Sequence, residues 1–143
     1  MAQLDTYEVI SRVIKCEISL SDGIAAIIDR KTGIFVPIEG IQIDYKESLD
    51  LNKSGSVAET ARDILGFSNT QGGLLVFGVD DAQQRACGHA PLDVKRLRES
   101  VGQYIGTRVA FDLEEIPVNF QGRNERVYVI QISRSLSTYP TLL

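Results

Sequence analysis

The chain has 143 residues, of which 43% are hydrophobic and 24% charged, and its formal net charge at pH 7 is −4. These values are typical of one globular domain with its own core, and they exclude a disordered chain. Two cysteines cannot form a disulfide framework, and with a single histidine they do not make a structural zinc site. Because no leader and no membrane-spanning run is present, the sequence predicts a cytoplasmic protein with reduced thiols and no membrane partner.

The first 37 residues combine two patterns. Five apolar side chains fall on one helical stripe: Leu4, Val9, Ile10, Val13 and Ile14. Further along, the apolar runs 24–28 and 34–36 flank a turn that contains Gly33, which is typical of a β-hairpin. We therefore predict an N-terminal extension over residues 1–37, formed by a helix and/or a β-hairpin, and a separate domain over residues 38–143.

The middle of the chain predicts a strand, a helix and a second strand. Residues 41–46 alternate apolar and polar side chains, as in a strand with one face toward a core. Ser56 and Glu59 have the spacing of a capping box at the start of a helix, which should end at the Gly-containing segment 69–73. Residues 74–79 form a continuous apolar run, which favours a strand that is buried on both faces.

The last third predicts one more helix and a hairpin. Apolar side chains recur at helical spacing over residues 91–105: Val94, Leu97, Val101, Tyr104 and Ile105. Gly106 is placed to end that helix. Strands at 109–118 and 127–132 are joined by a turn at 121–124. The order β-α-β-α-β-β indicates an α/β (α+β) fold, a single domain with two helices packed on a mixed sheet.

Acidic side chains cluster around the ends of the first two predicted strands. They are Glu39, Asp44, Asp80 and Asp81. Carboxylate oxygens bind Mg²⁺ or Mn²⁺, and such an ion polarises a phosphodiester. Lys46 shares a strand face with Asp44 and is placed to stabilise developing negative charge. These five residues are the candidate catalytic set, with the four acids as metal ligands. The alternative is a solvated strand face on which Asp and Lys pair with each other.

Basic residues are in excess over residues 85–108, where five of them meet only two acidic ones. The candidates for contacts with nucleic-acid phosphates are Lys46, Arg85, Lys95, Arg98 and Arg108. Lys95 and Arg98 are three residues apart, so they share a helix face. The alternative is an ordinary solvated helix. The single histidine, His89, lies in a predicted loop and is interpreted as a surface side chain rather than a catalytic base.

Two segments resemble the motifs of the Schlafen AlbA-type domain. Residues 39–48, EGIQIDYKES, resemble the opening E-x-x-x-x-E-F-K-x-S, with Asp44 where the family usually has Glu. Residues 66–81, GFSNTQGGLLVFGVDD, resemble the signature A-F-A-N-T-x-G-G-x-L-x-x-G-V-D-D. The following Cys87-Gly88 pair and the closing residues 129–135 are also similar, so the resemblance covers roughly residues 38–140.

This resemblance implies an AlbA-like β-α-β-α-β-β core that binds DNA or RNA, in some relatives as part of a transcriptional regulator. In Schlafen proteins it implies a metal-dependent endoribonuclease that acts on structured RNA such as tRNA. The three acidic positions of that enzyme fall on Glu39, Asp44 and the Asp80-Asp81 pair. A nucleic-acid-binding module is the leading hypothesis, and an Mg²⁺- or Mn²⁺-dependent endoribonuclease is the alternative. The net acidity leaves open a third, a structural or homo-oligomerisation domain without nucleic acid.

Overall fold

The computed structural model describes residues 6–35, 43–80, 82–106 and 109–134. Within these ranges the chain forms four helices and four strands. The helices are α1 (Thr6–Ile14), α2 (Leu20–Ile27), α3 (Ser54–Ser68) and α4 (Val94–Ile105). The strands are β1 (Ile43–Lys46), β2 (Gly73–Phe77), β3 (Phe111–Phe120) and β4 (Arg123–Ile132). From β1 onward the order is the predicted β-α-β-α-β-β.

The four strands form one mixed sheet in the order β1-β2-β4-β3. β1 lies parallel to β2, with Lys46 opposite Phe77, and α3 makes the crossover between them. β4 is antiparallel to both β2 and β3. The β3–β4 hairpin turns at Gln121 and Gly122, whose φ angles of 49° and 71° suit a two-residue turn. The predicted adjacency of the first two strands and the mixed α/β fold class are both confirmed.

Helices cover both faces of the sheet. All five residues of β2 are buried because its side chains alternate between two cores. Leu74 and Val76 belong to the core that α1 and α2 complete, whereas Leu75 and Phe77 belong to the core under α3 and α4. This three-layer arrangement explains why the strand is a continuous apolar run rather than an alternating one.

Residues 20–27 differ from the predicted hairpin, because they form the helix α2. Ser19 Oγ accepts a hydrogen bond from the N–H of Asp22 and so provides a side-chain N-cap. Apolar side chains at helical spacing bury one face, and two alanines, which favour helix, face solvent. A short apolar run fits a helix or a strand equally well by periodicity. What remains of the hairpin is one antiparallel bridge between Ile28 and Phe35.

The helix ends confirm one prediction and correct two. Gly106 ends α4 with a φ of 66°, as predicted. The capping box is absent, since α3 follows Lys53 without a side-chain cap, and Ser56 Oγ instead accepts from the N–H of Asp50 in the preceding loop. Tyr104 is 40% exposed. It lies about 100° around the helix from its neighbour Ile105, which is enough to take it out of the buried stripe.

Candidate functional site

The glycines of the turn between α3 and β2 are needed for packing. Gly72 has a φ of 80°, and a Cβ atom there would lie 2.6 Å from the carbonyl oxygen of Ile132. A Cβ atom on Gly73 would collide with the ring of Phe67. Both positions therefore exclude larger residues for steric reasons. These two glycines of the signature motif are required by the packing of the fold, and they supply no reactive group.

The segment after β2 folds back onto the end of that strand. Gly78 has a φ of 106°, and a Cβ atom there would lie 3.2 Å from both the carbonyl oxygen of Arg126 and the carbonyl carbon of Gly88. The Asp80 carboxylate accepts a hydrogen bond from the N–H of Ala82 at 2.7 Å. The contact closes the tight turn that follows Asp80, as an aspartate in an Asx-turn does.

Lys46 lies at the centre of a group of acids on the α3 side of β1. Its Nζ atom is 3.3 Å from Asp44, 3.6 Å from Asp63 and 3.7 Å from Glu59. We call these four residues the Lys46 cluster. The strand supplies Asp44 and Lys46, and α3 supplies the other two acids, so the cluster joins the strand to the helix. With three carboxylates to one ammonium group, it leaves no net positive charge for a phosphate.

The pKa values of the Lys46 cluster show how its charges compete. Burial by itself would lower the pKa of Lys46, but the attraction of Asp44, Asp63 and Glu59 raises it overall. The pKa of Asp63 is also raised, first by burial and then by repulsion from the neighbouring carboxylates, which together outweigh the attraction of Lys46. One lysine thus compensates three acids incompletely.

In the described part of the structure, the acidic candidates do not form one cluster. Asp44 stands opposite Leu75 in the β1–β2 register. Asp80 lies beyond the carboxyl end of β2, after the turn at Gly78, and not on the strand face that carries Asp44. Glu39 and Asp81 lie outside the described residues. Within the ranges that are described, no three His, Cys, Asp or Glu side chains are arranged to hold a metal ion. Metal binding and catalysis by these acids stay predictions.

The carboxyl ends of β1 and β2 open into a cleft of about 830 Å³, which we call the loop cleft. Its walls are residues 47–52 and 87–93, together with Arg96. Open α/β sheets commonly bind ligands at this position. The ionised side chains of the lining are three acids and one arginine, namely Glu47, Asp50, Asp93 and Arg96. This excess of negative charge makes the loop cleft a poor receptor for phosphate.

His89 joins the two walls of the loop cleft. Its Nε2 atom accepts a hydrogen bond from the N–H of Leu49 at 3.0 Å, and its Nδ1 atom lies 2.7 Å from the carbonyl oxygen of Ala90. These partners assign the hydrogen to Nδ1. The ring also packs edge-on against Tyr128, with centroids 5.7 Å apart. Both nitrogens of His89 are therefore used in structure. Sequence reasoning missed this role because Leu49 is far away along the chain.

Tyr128 is fully buried and lies beneath these loops. Its hydroxyl accepts a hydrogen bond from the N–H of Leu92 at 2.9 Å and donates one to Glu115 at 3.2 Å. Glu115 in turn pairs with Arg126 at 3.0 Å. This network fixes the loop before α4 to the β3–β4 hairpin, and the Asp93 side chain caps the start of the helix by accepting from the N–H of Arg96.

The basic candidates fall into separate environments. Lys95 and Arg98 are exposed on α4, and the guanidinium of Arg98 lies 5.5 Å from the ring centroid of Phe111. Arg85 is half-buried, and its Nε atom has no hydrogen-bond partner among the described residues. Arg108 lies outside the described residues. Of the predicted phosphate contacts, α4 therefore presents two on an open surface.

Comparison with known protein families identifies the family of this chain. The family model described as "Schlafen, AlbA_2" matches residues 39–141, which is most of the chain. The chain belongs to the Schlafen AlbA_2 family. No curated protein matches it. Each helix in the described part of the chain is too short or too polar to cross a membrane.

Two solved structures match this chain. The DIP2311 protein from Corynebacterium diphtheriae matches with a TM-score of 0.62 and 20% identity, over 93% of this chain. This chain corresponds to only 28% of that protein. The N-terminal domain of a RecG-related protein from Nitrosomonas europaea matches over 99% of this chain and 86% of its own length, with 14% identity and a TM-score of 0.37. The first likeness supports the fold alone.

Proposed function

We propose that this Schlafen AlbA_2 domain binds nucleic acid and that the exposed face of α4 contacts the phosphate backbone. The family indicates the class of partner. The observation on this chain that supports the proposal is the exposure of Lys95 and Arg98 and their lack of acidic partners. Both are exposed, and neither forms an ion pair with a carboxylate of the described residues. Free cations on one helix face are the usual electrostatic footprint of a nucleic-acid-binding surface.

The contrast with Lys46 supports this assignment. Lys46 and the half-buried Arg85 are the other predicted phosphate contacts that the structure describes, and three carboxylates share the charge of Lys46. Arg98 instead stacks on Phe111. Stacking holds a guanidinium by its face and leaves its N–H edge free to donate to phosphate oxygens. The face of α4 is therefore the better phosphate receptor.

The net charge of −4 limits what this surface can do. Attraction over the whole molecule is absent, so binding must come from local contacts. Each phosphate that is neutralised releases counterions, and the affinity then falls as salt rises. We expect a salt-sensitive interaction that few phosphates dominate.

The experiment is a salt titration of binding, measured by fluorescence anisotropy with labelled DNA and RNA. The double variant Lys95→Glu/Arg98→Glu should weaken binding to all sequences and reduce the slope of log affinity against log salt by about 1.5. The matched control is Lys31→Glu/Arg123→Glu. It makes the same charge change near the tip of the β3–β4 hairpin, where Gly33 lies against Phe120.

Two results would contradict the proposal. A wild-type protein that binds no nucleic acid at about 50 mM salt would leave the structural or oligomerisation role. Equal effects of the two double variants would show that only total charge matters, not the α4 face.

Several finer parts of the proposal need their own measurements. Membership of a transcriptional regulator, a cytoplasmic location and homo-oligomer formation are proposed with it. So is an AlbA-like unit that begins near residue 38, with α1 and α2 of the preceding extension completing one of its two cores. Light scattering of the purified chain measures the oligomeric state directly. The endoribonuclease alternative is tested through Asp44 below.

A further inference from the structure

A second cleft lies at the end of the sheet opposite the loop cleft, with a volume of about 560 Å³. We call it the α1 cleft. Its lining residues are Ser11, Ile14, Lys15, Cys16, Gln71, Ser133 and Arg134. Two of these side chains are cationic, several can form hydrogen bonds, and none is a carboxylate. Its charge is thus opposite in sign to that of the loop cleft.

The walls of the α1 cleft are tied together by a buried amide. Gln131 is 3% exposed, and its Nε2 atom donates to the carbonyl oxygen of Ile14 at 2.7 Å and to Ser133 Oγ at 3.3 Å. This contact fastens the end of α1 to the end of β4. Because Ser133 Oγ accepts from Gln131, the hydroxyl hydrogen of Ser133 remains to donate to another group. Since the buried Gln131 side chain holds both walls in place, the α1 cleft is a fixed feature of the fold.

Two cations, Lys15 and Arg134, line the α1 cleft at this end of the sheet. Lys15 directly follows α1, and Arg134 follows the last residue of β4, Ile132. Ile132 pairs with Phe111, the ring over which Arg98 of α4 stacks.

We propose that the α1 cleft seats one nucleotide of a single-stranded nucleic acid, while Lys15 and Arg134 bind phosphates on either side of it. This inference rests on the proposed function and extends it, because Arg98 would continue the phosphate path from the cleft toward α4. The cleft volume lies in the range of small-ligand sites, roughly 300–1,000 Å³. The serine hydroxyls of its lining suit the polar edge of a base, which a paired strand does not expose.

The competing explanation is structural. A cation just after α1 also stabilises the negative end of the helix dipole. In that case neutralising Lys15 lowers the stability of the fold and leaves nucleic-acid binding unchanged. Binding and thermal unfolding must therefore be measured on the same variants.

The test uses labelled single strands of about 12 nucleotides, oligo-dT and oligo-rU, and a duplex of the same length. The variant Lys15→Gln/Arg134→Gln should lose about tenfold or more in affinity for the single strands, and its salt slope should fall by about 1.4. The control Lys31→Gln/Arg123→Gln makes the same charge change at the far end of the hairpin and should keep the wild-type affinity. Ser11→Trp fills the cleft without changing the charge, so it should weaken single-strand binding and keep the salt slope.

The outcomes separate the two proposals. If the wild-type protein binds nucleic acid but Lys15→Gln/Arg134→Gln stays within about twofold of it, the cleft proposal is overturned and the α4 surface stands. A preference for duplex, or full single-strand binding by Ser11→Trp, overturns the nucleotide seat as well. A wild-type protein that binds no nucleic acid removes both proposals.

Discussion

Two glycines near the end of α3 should respond to alanine in opposite directions. Gly66 is exposed in the last turn of α3, and a Cβ atom there would have no heavy atom within 4 Å. Gly66→Ala should therefore stabilise the protein by up to about 1 kcal/mol, the difference in helix propensity. The motif that residues 66–81 resemble has alanine at this position, so the change restores the usual residue.

Gly72→Ala should be strongly destabilising for two independent reasons. A φ of 80° costs an L-residue about 1–2 kcal/mol. The new Cβ atom would also lie 2.6 Å from the carbonyl oxygen of Ile132 and 2.7 Å from Ile14 Cγ2. Relieving such overpacking costs about 1–3 kcal/mol. We expect a total loss of about 2–5 kcal/mol, since the two costs act on the same residue.

Urea unfolding followed by circular dichroism measures both glycine variants on one scale. The midpoint should rise for Gly66→Ala and fall for Gly72→Ala, with the same slope against denaturant for each protein. A harmless Gly72→Ala would refute the structural interpretation of the signature turn. A destabilising Gly66→Ala would show that its surroundings are more crowded than described.

Substitutions at three further positions test the other parts of the site. Tyr128→Phe should lower the unfolding free energy by about 1–3 kcal/mol, because the N–H of Leu92 loses its buried acceptor. An unchanged urea midpoint would show that the hydrogen bonds of the Tyr128 hydroxyl do not stabilise the fold. Lys46→Met should cost about 1 kcal/mol at pH 7 and less in acid, where Asp63, whose pKa is raised, loses its charge, whereas the control Lys53→Met should change little at either pH. Because the pKa of Lys46 is raised in the folded protein, its stabilising effect at pH 7 should persist up to the ordinary lysine pKa and disappear as the pH rises through the raised one. If a tRNA pool is cleaved in the presence of Mn²⁺, Asp44→Asn should abolish cleavage and leave binding intact, and Asp44→Glu should be milder; cleavage that survives Asp44→Asn rules out the proposed acidic site.

Periodicity predicted most of the fold because the main elements have a clear hydrophobic pattern. The strand at 74–79 and the helix stripe of α4 are examples, and their neighbours in the sheet follow from the β-α-β order. The exception was residues 20–27, where a short apolar run fits either structure and the cap at Ser19 decides. Ser56 was misjudged for a similar reason, since its hydroxyl has a competing partner in the loop.

The site was harder to predict, because its groups meet only in the folded chain. The Asp44–Lys46 pairing follows from strand spacing, but nothing local indicates that α3 brings two more acids to the same lysine. The link between His89 and Leu49 spans two separate loops. Lys15 and Arg134 stand near opposite ends of the chain, and only the pairing of α1 with β4 through Gln131 brings them together.

The most direct test of the account is the slope of log affinity against log salt for the wild-type chain with a single strand. Three or four phosphate contacts from the exposed cations predict a straight line with a slope of roughly −2 to −3. The slope should become shallower in Lys95→Glu/Arg98→Glu and stay unchanged in Lys31→Glu/Arg123→Glu. A flat line, or no binding at about 50 mM salt, would contradict the claim that this Schlafen AlbA_2 domain binds nucleic acid through its cationic surface.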